Sequence, residues 1–197
     1  MFERQIAYHC APALAGIKSA NIASFGKSNQ ENVYSELKRM NRELNGIGIY
    51  LELICECKKR VLVMAYRKSV LEKQLSAPES IEFLGKYGYP AKGSVDEYIR
   101  VLKQRLKQET FPHEIGVFLG YPVYDICRFI ECGGRDCIVA GEWKAYHNPE
   151  SARKCFTRYR ACRKALACRV ENGHTLTDIF CPQNRVSSCE DIGAGIS

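Results

Sequence analysis

The sequence lacks any apolar run long enough to cross a membrane. A membrane-spanning helix needs about 20 consecutive apolar residues, whereas the longest runs, residues 47–51 and 61–66, have the length of strands. The first residues also lack the order of a secretion signal, because Glu3 and then His9 precede any long apolar stretch. We therefore expect a cytoplasmic protein without a membrane span.

Cys-x-x-Cys pairs are also absent, although the chain contains eleven cysteines. Such a pair is the usual signature of a zinc site or a dithiol redox site. Cysteines in a chain without an export signal are expected to stay reduced, so they are free thiols, metal ligands or both. So many thiols are typical of a protein from an anaerobic or strongly reducing host, because air would oxidise them.

Three motifs of known enzyme classes are missing as well. The sequence contains no glycine-rich phosphate loop, no zinc-protease helix pattern and no nucleophile elbow. His113 and Glu114 offer an acid–base pair, and Trp143 beside Lys144 offers an aromatic surface next to a cation. These residues indicate no particular reaction, and the sequence assigns no catalytic residue.

The composition is that of one folded domain. A chain of 197 residues that is 46% hydrophobic can bury one core without disulfide bonds. We predict a single α+β domain over residues 1–186 and a disordered tail over residues 187–197. Residues 47–55 and 59–67 predict a β-hairpin joined by the short polar segment 56–58.

The predicted architecture is a small antiparallel sheet, the hairpin plus one or two further strands, covered by about six to seven helices. We expect residues 137–146 to pair with the hairpin as a further strand, because an isolated hairpin is marginal in water. Ser94 and Glu97 predict a capping box at the start of one helix. Helical segments are indicated at residues 12–25, 32–44, 69–75, 78–87, 95–108, 112–120, 122–132 and 148–169.

Two features suggest a nucleic-acid-binding regulator. Most of the net charge of +7 lies between residues 153 and 169, and residues 114–131 have the pattern of a helix-turn-helix with its turn at Gly120. The alternatives are a solvated helix face and a helix pair that does not touch DNA, because the acid Asp125 would repel phosphate. The nucleic-acid contacts would be Tyr124, Arg128, Arg153, Arg160 and Lys164.

Several thiols have two possible roles. Helical projection places Cys155 and Cys162 with Ala152, Tyr159 and Leu166 on one face, which favours a core position over metal binding. Cys55 and Cys57 at the hairpin tip could bind a soft metal only with further ligands. Cys10 precedes the helix expected from Pro12, where the helix dipole would lower its pKa; the alternative is a buried thiol.

Three sequence blocks resemble a known family. The blocks are residues 8–18 (YHCAPALAGIK), residues 111–122 with FPHEIG and LGYP, and residues 143–146 (WKAY). They resemble an uncharacterised family of clostridia and related anaerobes, the domain of unknown function numbered thirty-seven ninety-three, over about residues 1–175. The family pattern includes His9, Pro12, Lys18, His113, Glu114, Tyr121, Asp125, Trp143 and Lys144, whereas most cysteines lie outside it.

The resemblance implies a role in iron or redox physiology, because members of the family can lie near ferrous-iron uptake and flavodoxin genes. We therefore expect an accessory protein of anaerobic iron or redox homeostasis, with a protein partner in that pathway. Its site would bind a metal, iron or zinc, through His9, Cys10 and His113, or a small anionic ligand. The alternatives are the nucleic-acid-binding regulator and an interaction module without catalysis. The residues expected to converge on one pocket are His9, Cys10, Lys18, His113, Glu114, Tyr121, Asp125, Trp143 and Lys144.

Overall fold

The computed structural model describes residues 2–26, 30–56 and 60–181, except for the side chains of residues 30 and 31. The described chain is an α+β structure with a three-stranded antiparallel sheet and a separate two-stranded sheet, which confirms the predicted fold class. The strands are β1 (Ala20–Gly26), β2 (Ile49–Glu56), β3 (Arg60–Arg67), β4 (Val139–Ala140) and β5 (Lys144–Ala145). The helices are α1 (Phe2–Leu14), α2 (Gln30–Leu44), α3 (Lys68–Leu75), α4 (Pro78–Gly85), α5 (Val95–Arg105), α6 (Ile115–Phe118), α7 (Val123–Glu131), α8 (Pro149–Glu171) and α9 (Leu176–Phe180), with a 3₁₀ turn at Asn45–Ile47.

The hairpin prediction is confirmed. Strands β2 and β3 pair antiparallel, with a register shift between Leu53 and Cys55. The connecting segment predicted at 56–58 lies mostly outside the described residues, as do Cys57 and the predicted tail 187–197. The capping box is also confirmed, since the Ser94 hydroxyl accepts the Glu97 N–H while the Glu97 carboxylate accepts the Ser94 N–H.

The first predicted helix, residues 12–25, is wrong. Helix α1 already begins at Phe2 and ends at Leu14, and the chain then forms strand β1. Gly16 adopts the left-handed region with φ +73°, and the N–H of Ile17 donates to the carbonyl of Pro12. This is a Schellman termination, in which a glycine without a side-chain clash closes the helix. Helix α1 therefore ends within the segment 12–25, where we expected a helix to continue.

The third strand of the main sheet is β1, and the prediction for residues 137–146 is wrong. The order in the sheet is β1-β3-β2, so β3 is central. Residues 139–140 and 144–145 pair with each other because the chain reverses between them, where the N–H of Gly141 donates to the carbonyl of Trp143. A reversal in the middle of a ten-residue segment prevents that segment from forming one long strand.

The sheet lies between two helical layers. Alternate residues of β3 face opposite sides, as expected for a strand. Val61, Val63 and Ala65 pack into a core formed with α1, α2, α8 and α9, whereas Met64 and Tyr66 pack into a core formed with α3, α4, α5 and α6. Helix α8 packs along α1.

The face predicted for α8 is largely confirmed. Ala152, Tyr159 and Leu166 are buried, and Cys155 and Cys162 are partly buried against core clusters. Phe156, which the projection did not include, is buried with them.

Candidate functional site

The first of two neighbouring cavities, called here the aromatic cavity, has a volume of about 230 Å³. Its walls are mainly aromatic and aliphatic side chains. The centres of the Tyr121 and Trp143 rings are 5.4 Å apart, and the edge of His113 meets Phe129 with the ring centres 5.2 Å apart. A cavity of this size and lining suits one planar apolar group. The lining residues are Ile22, Phe111, His113, Ile115, Gly116, Leu119, Tyr121, Asp125, Ile126, Phe129, Trp143 and Lys144.

Asp125 fixes one wall of the aromatic cavity. It lies in the first turn of α7 and is only 3% exposed. Its Oδ2 accepts a hydrogen bond of 2.8 Å from Trp143 Nε1, and its Oδ1 accepts the backbone N–H groups of Tyr146 at 2.8 Å and His147 at 3.2 Å. Hydrogen bonds to a carboxylate are stronger than neutral ones. Asp125 therefore holds the segment that carries Trp143 against α7.

The second cavity, called here the charged cavity, has a volume of about 330 Å³. Its polar groups come from distant parts of the chain. Arg163 on α8 donates to both carboxylate oxygens of Glu142, at 2.5 and 2.6 Å, in a two-point ion pair. Lys18 Nζ lies 3.6 Å from Glu142 Oε2, which is longer than a hydrogen bond. The lining residues are Tyr8, His9, Lys18, Asn21, Ile22, Leu119, Tyr121, Glu142 and Arg163.

Lys18 is the unusual group of the charged cavity because it is only 5% exposed. Its ammonium group lies 5.2 Å from the ring centre of Tyr121 and 5.5 Å from that of Tyr159, within the range of cation–π attraction. Burial lowers the pKa of Lys18 from 10.5 to about 8, although the negative charge of Glu142 acts in the opposite direction. Lys18 is therefore far more easily deprotonated than a surface lysine.

Three groups around Lys18 have shifted pKa values too. Burial alone would raise the pKa of Glu142, but the hydrogen bonds and the charge of Arg163, together with Lys18, outweigh it and lower that pKa. Burial raises the pKa of Tyr121 and that of Tyr159 to about 12. At neutral pH Glu142 is thus a carboxylate, Tyr121 and Tyr159 are neutral phenols, and Lys18 is an amine whose pKa of about 8 lies close to that pH.

The two cavities share the side chains of Ile22, Leu119 and Tyr121. The turn at Gly120 between α6 and α7 brings this common wall beside the segment that follows α1. Gly120 has φ +72°, and an added Cβ would lie 2.6 Å from Ser19 Oγ, so the position requires glycine. The Ser19 hydroxyl in turn donates to the carbonyl of Phe118 at 2.8 Å. These contacts place Lys18 next to Tyr121.

The structure brings together seven of the nine residues predicted to bind a ligand, in two adjoining cavities rather than one pocket. Cys10 and Glu114 line neither cavity. Cys10 lies inside α1, fully buried, and burial raises its pKa to about 12. The lowering expected from a helix N-terminus is therefore wrong, and the buried thiol is correct. Glu114 is buried in an ion pair with Arg105. The seven are His9, Lys18, His113, Tyr121, Asp125, Trp143 and Lys144.

The three residues predicted to bind a metal are not placed as one ligand set. His9 lines the charged cavity, His113 lines the aromatic cavity, and Cys10 is enclosed by the core. Over the described ranges 2–26, 30–56 and 60–181, no group of three or more His, Cys, Asp or Glu side chains could hold a metal ion.

The predicted helix-turn-helix differs from a DNA-binding helix-turn-helix in three respects. Helix α6 has only four residues, Asp125 is buried against the Trp143 segment, and Arg128 forms an ion pair with Glu131 at 2.7 Å. Tyr124 on α7 is 55% exposed. The remaining predicted contacts, Arg153, Arg160 and Lys164, are exposed on α8.

Sequence reasoning missed Glu142, Arg163, Asn21 and Phe129 as cavity residues. Arg163 belongs to the basic residues between 153 and 169, but it directly follows Cys162 and so lies at the edge of the buried face of α8. Its long side chain reaches Glu142 from there. Phe129 could have been found from its position four residues after Asp125 on α7, which puts both on one helix face.

Comparison with known proteins identifies a family. The model of a family described as a protein of unknown function, DUF3793, matches residues 6–180. No curated protein and no solved structure is detectably similar to the chain. In the part of the chain that the structure describes, no helix combines the length and the apolar character needed to cross a membrane.

Proposed function

The chain belongs to the DUF3793 family, and we propose that it binds a small organic acid with one planar apolar group. The observation that carries this proposal is the cavity pair: an aromatic cavity shares the Tyr121 wall with a cavity that contains the buried Lys18. The ring of the ligand would occupy the aromatic cavity, and its acid group would approach Lys18.

Charge supports an anionic ligand. Lys18 and Arg163 carry two positive charges when protonated, and Glu142 carries one negative charge. Arg163 holds both oxygens of Glu142 at 2.5 and 2.6 Å, whereas Lys18 Nζ is 3.6 Å from Glu142 Oε2. A buried ammonium group whose carboxylate partner is this distant would gain from an anion that offers a closer acceptor.

The lining of the aromatic cavity supports a planar apolar group. Phe111, Phe129, Tyr121 and Trp143 present ring faces and edges, which favour stacked or edge-on contacts with another ring. A volume of about 230 Å³ leaves room for a single ring with a short side chain.

The proposal keeps the anionic ligand predicted from the sequence and omits the metal, because the described residues offer no set of three metal ligands. A role in anaerobic iron or redox homeostasis stays a prediction, as does a protein partner in such a pathway.

The experiment is a titration followed by the fluorescence of Trp143, the only tryptophan of the chain and a residue of the aromatic cavity. The ligands are hydrocinnamate (phenyl ring and carboxylate), phenylpropanol (ring without charge) and propionate (charge without ring). We expect hydrocinnamate to bind at least about tenfold more tightly than either of the others, or about 1.4 kcal/mol. Equal affinity for phenylpropanol would show that no cation contributes and would contradict the proposal.

A matched pair of variants tests the cation. Lys18→Met should abolish the preference of the protein for hydrocinnamate over phenylpropanol, because it removes the charge while keeping an unbranched side chain of similar length. Lys154→Met removes a lysine from the exposed side of α8 and should leave both affinities unchanged. An equal effect of the two substitutions would mean that only net charge matters.

The exposed side of α8 favours a second candidate function, the binding of nucleic acid. Its basic residues face solvent over five helical turns, with no acid on the helix between Glu150 and Glu171. We expect fluorescence anisotropy with a labelled DNA duplex to detect binding that weakens steeply with salt. The double variant Arg153→Ala/Arg160→Ala should reduce it, whereas binding that is indifferent to salt would contradict this candidate.

A further inference from the structure

We propose that Lys18 is a reactive amine that forms an imine with the carbonyl carbon of an α-keto acid carrying an aromatic or other planar apolar group. This inference rests on the proposed function, because the same cavity pair has to hold the compound. It goes further by naming the substrate class and a covalent step.

Lys18 is both buried and at a cavity wall. Its side chain is almost wholly enclosed, yet the residue lines the charged cavity. The rings of Tyr121 and Tyr159 flank it, with their centres 5.2 and 5.5 Å from Nζ. Glu142 Oε2 lies 3.6 Å from Nζ and is itself held by Arg163, so the amine lies beside a cavity with only a long ion pair. A nucleophile has to be within reach of its substrate.

The protonation state of Lys18 also favours reaction. An imine forms only from the neutral amine, and an ordinary lysine is almost wholly protonated at neutral pH. Burial lowers the pKa of Lys18 to about 8. Roughly a quarter of Lys18 side chains are then neutral at about pH 7.5, compared with about one in a thousand for an unperturbed lysine. The cavity thus supplies a neutral amine without a separate base for the first proton.

The reaction balances without an oxidant or reductant. The nitrogen lone pair attacks the carbonyl carbon, and the carbonyl oxygen takes a proton to give a carbinolamine. The nitrogen then loses a proton, and the hydroxyl group takes one and leaves as water as the C=N bond forms. The protonated imine finally loses its proton, so two protons are taken up, two are released, and the products are the imine and one water molecule. Glu142 Oε2, 3.6 Å from Nζ, is the nearest carboxylate oxygen that can receive and return a proton.

The second cation of the charged cavity, Arg163, favours an α-keto acid as the carbonyl compound. Arg163 remains positively charged after the amine has reacted and can contact a carboxylate placed next to the carbonyl carbon. In such an acid the carbonyl carbon is bonded directly to the carboxylate carbon. Lys18 and Arg163 are neighbours in the same way, because both form ion pairs with Glu142. The apolar substituent on the other side of the carbonyl would extend into the aromatic cavity.

The experiment traps the imine as a stable amine. The protein, residues 1–197, is incubated with phenylpyruvate and sodium cyanoborohydride, and the adduct is located by mass spectrometry of the intact chain and of its peptides. We expect one adduct per chain, on Lys18, and a trapping rate that rises with pH around a midpoint near 8. Adducts spread over exposed lysines, or an unchanged yield in Lys18→Met, would overturn the proposal.

Two controls separate this inference from the proposed function. Hydrocinnamate has the ring and carboxylate of phenylpyruvate but no carbonyl, so it should compete with trapping without forming an adduct. Lys18→Arg keeps the cation and cannot form an imine; it should still bind hydrocinnamate and should give no adduct. If hydrocinnamate binds and phenylpyruvate is not trapped, the imine is refuted and the binding function stands. If neither compound binds, both are refuted.

Discussion

Replacing Asp125 by alanine should unfold the wall of the aromatic cavity and destabilise the whole protein. The side chain is 3% exposed and accepts three hydrogen bonds, from Trp143 Nε1 and from the N–H groups of Tyr146 and His147. A hydrogen bond to a charged group is worth about 1.5–3 kcal/mol, but the three are not additive because some donors regain water. We expect a loss of about 3–5 kcal/mol in the free energy of unfolding, a large share of the 5–15 kcal/mol of a typical domain.

Urea denaturation followed by the fluorescence of Trp143 measures both effects of this substitution. The unfolding midpoint should fall, and the emission of the folded protein should shift to longer wavelength as the indole becomes exposed to water. Asp125→Asn keeps one acceptor oxygen and should cost less than Asp125→Ala. Glu109→Ala, at an exposed loop position, should change the stability by less than about 0.5 kcal/mol. A cost below about 1 kcal/mol for Asp125→Ala, with unchanged emission, would refute the role of Asp125 as the anchor of the Trp143 segment.

Three further predictions concern the surroundings of the cavities. The pKa of Lys18 is lowered from 10.5 to about 8, so between these pH values the unfolded chain binds more protons than the folded one. The free energy of unfolding of the wild type, measured by chemical denaturation relative to Lys18→Met, should therefore rise by up to roughly 3 kcal/mol from pH 8 to pH 10.5. A difference that does not change with pH would refute the lowered pKa. Gly120→Ala should lower the melting temperature more than Gly88→Ala, because both residues have positive φ but only a Cβ at position 120 would meet another atom, Ser19 Oγ. Equal losses would mean that this contact with Ser19 is unimportant. The thiol of Cys10 should react with a maleimide only on unfolding, because it is buried and burial raises its pKa to about 12. The exposed thiol of Cys168 should react at once. Rapid labelling of Cys10 in the native protein would contradict its burial.

The elements that the sequence predicted correctly are those with local signals. The hairpin followed from two β-rich runs joined by a short polar segment, and the start of α5 followed from Ser94 and Glu97 alone. The third strand was misplaced because strand pairing is a long-range property. Gly16 was the local signal that would have ended α1 early enough to leave residues 20–26 free to form β1.

The candidate site also contains some residues that could be predicted from the sequence and others that could not. Lys18, Tyr121 and Trp143 are distant in sequence, and the family resemblance, rather than periodicity or spacing, grouped them. Glu142 and Arg163 escaped notice because their ion pair joins a reversal of the chain to the edge of a helix face, and neither partner has a motif of its own. Tertiary contacts of this kind leave no pattern in a single sequence.

The most direct test of the central claim, that the two cavities form one binding site, is calorimetric measurement of the hydrocinnamate affinity in the wild type, Lys18→Met and Phe129→Ala. Each substitution alters a different cavity. We expect each to weaken the same binding event by at least about tenfold, through loss of the cation in one case and of the ring contact in the other. An affinity left unchanged by either substitution, in protein whose circular dichroism shows that it is folded, would contradict the claim.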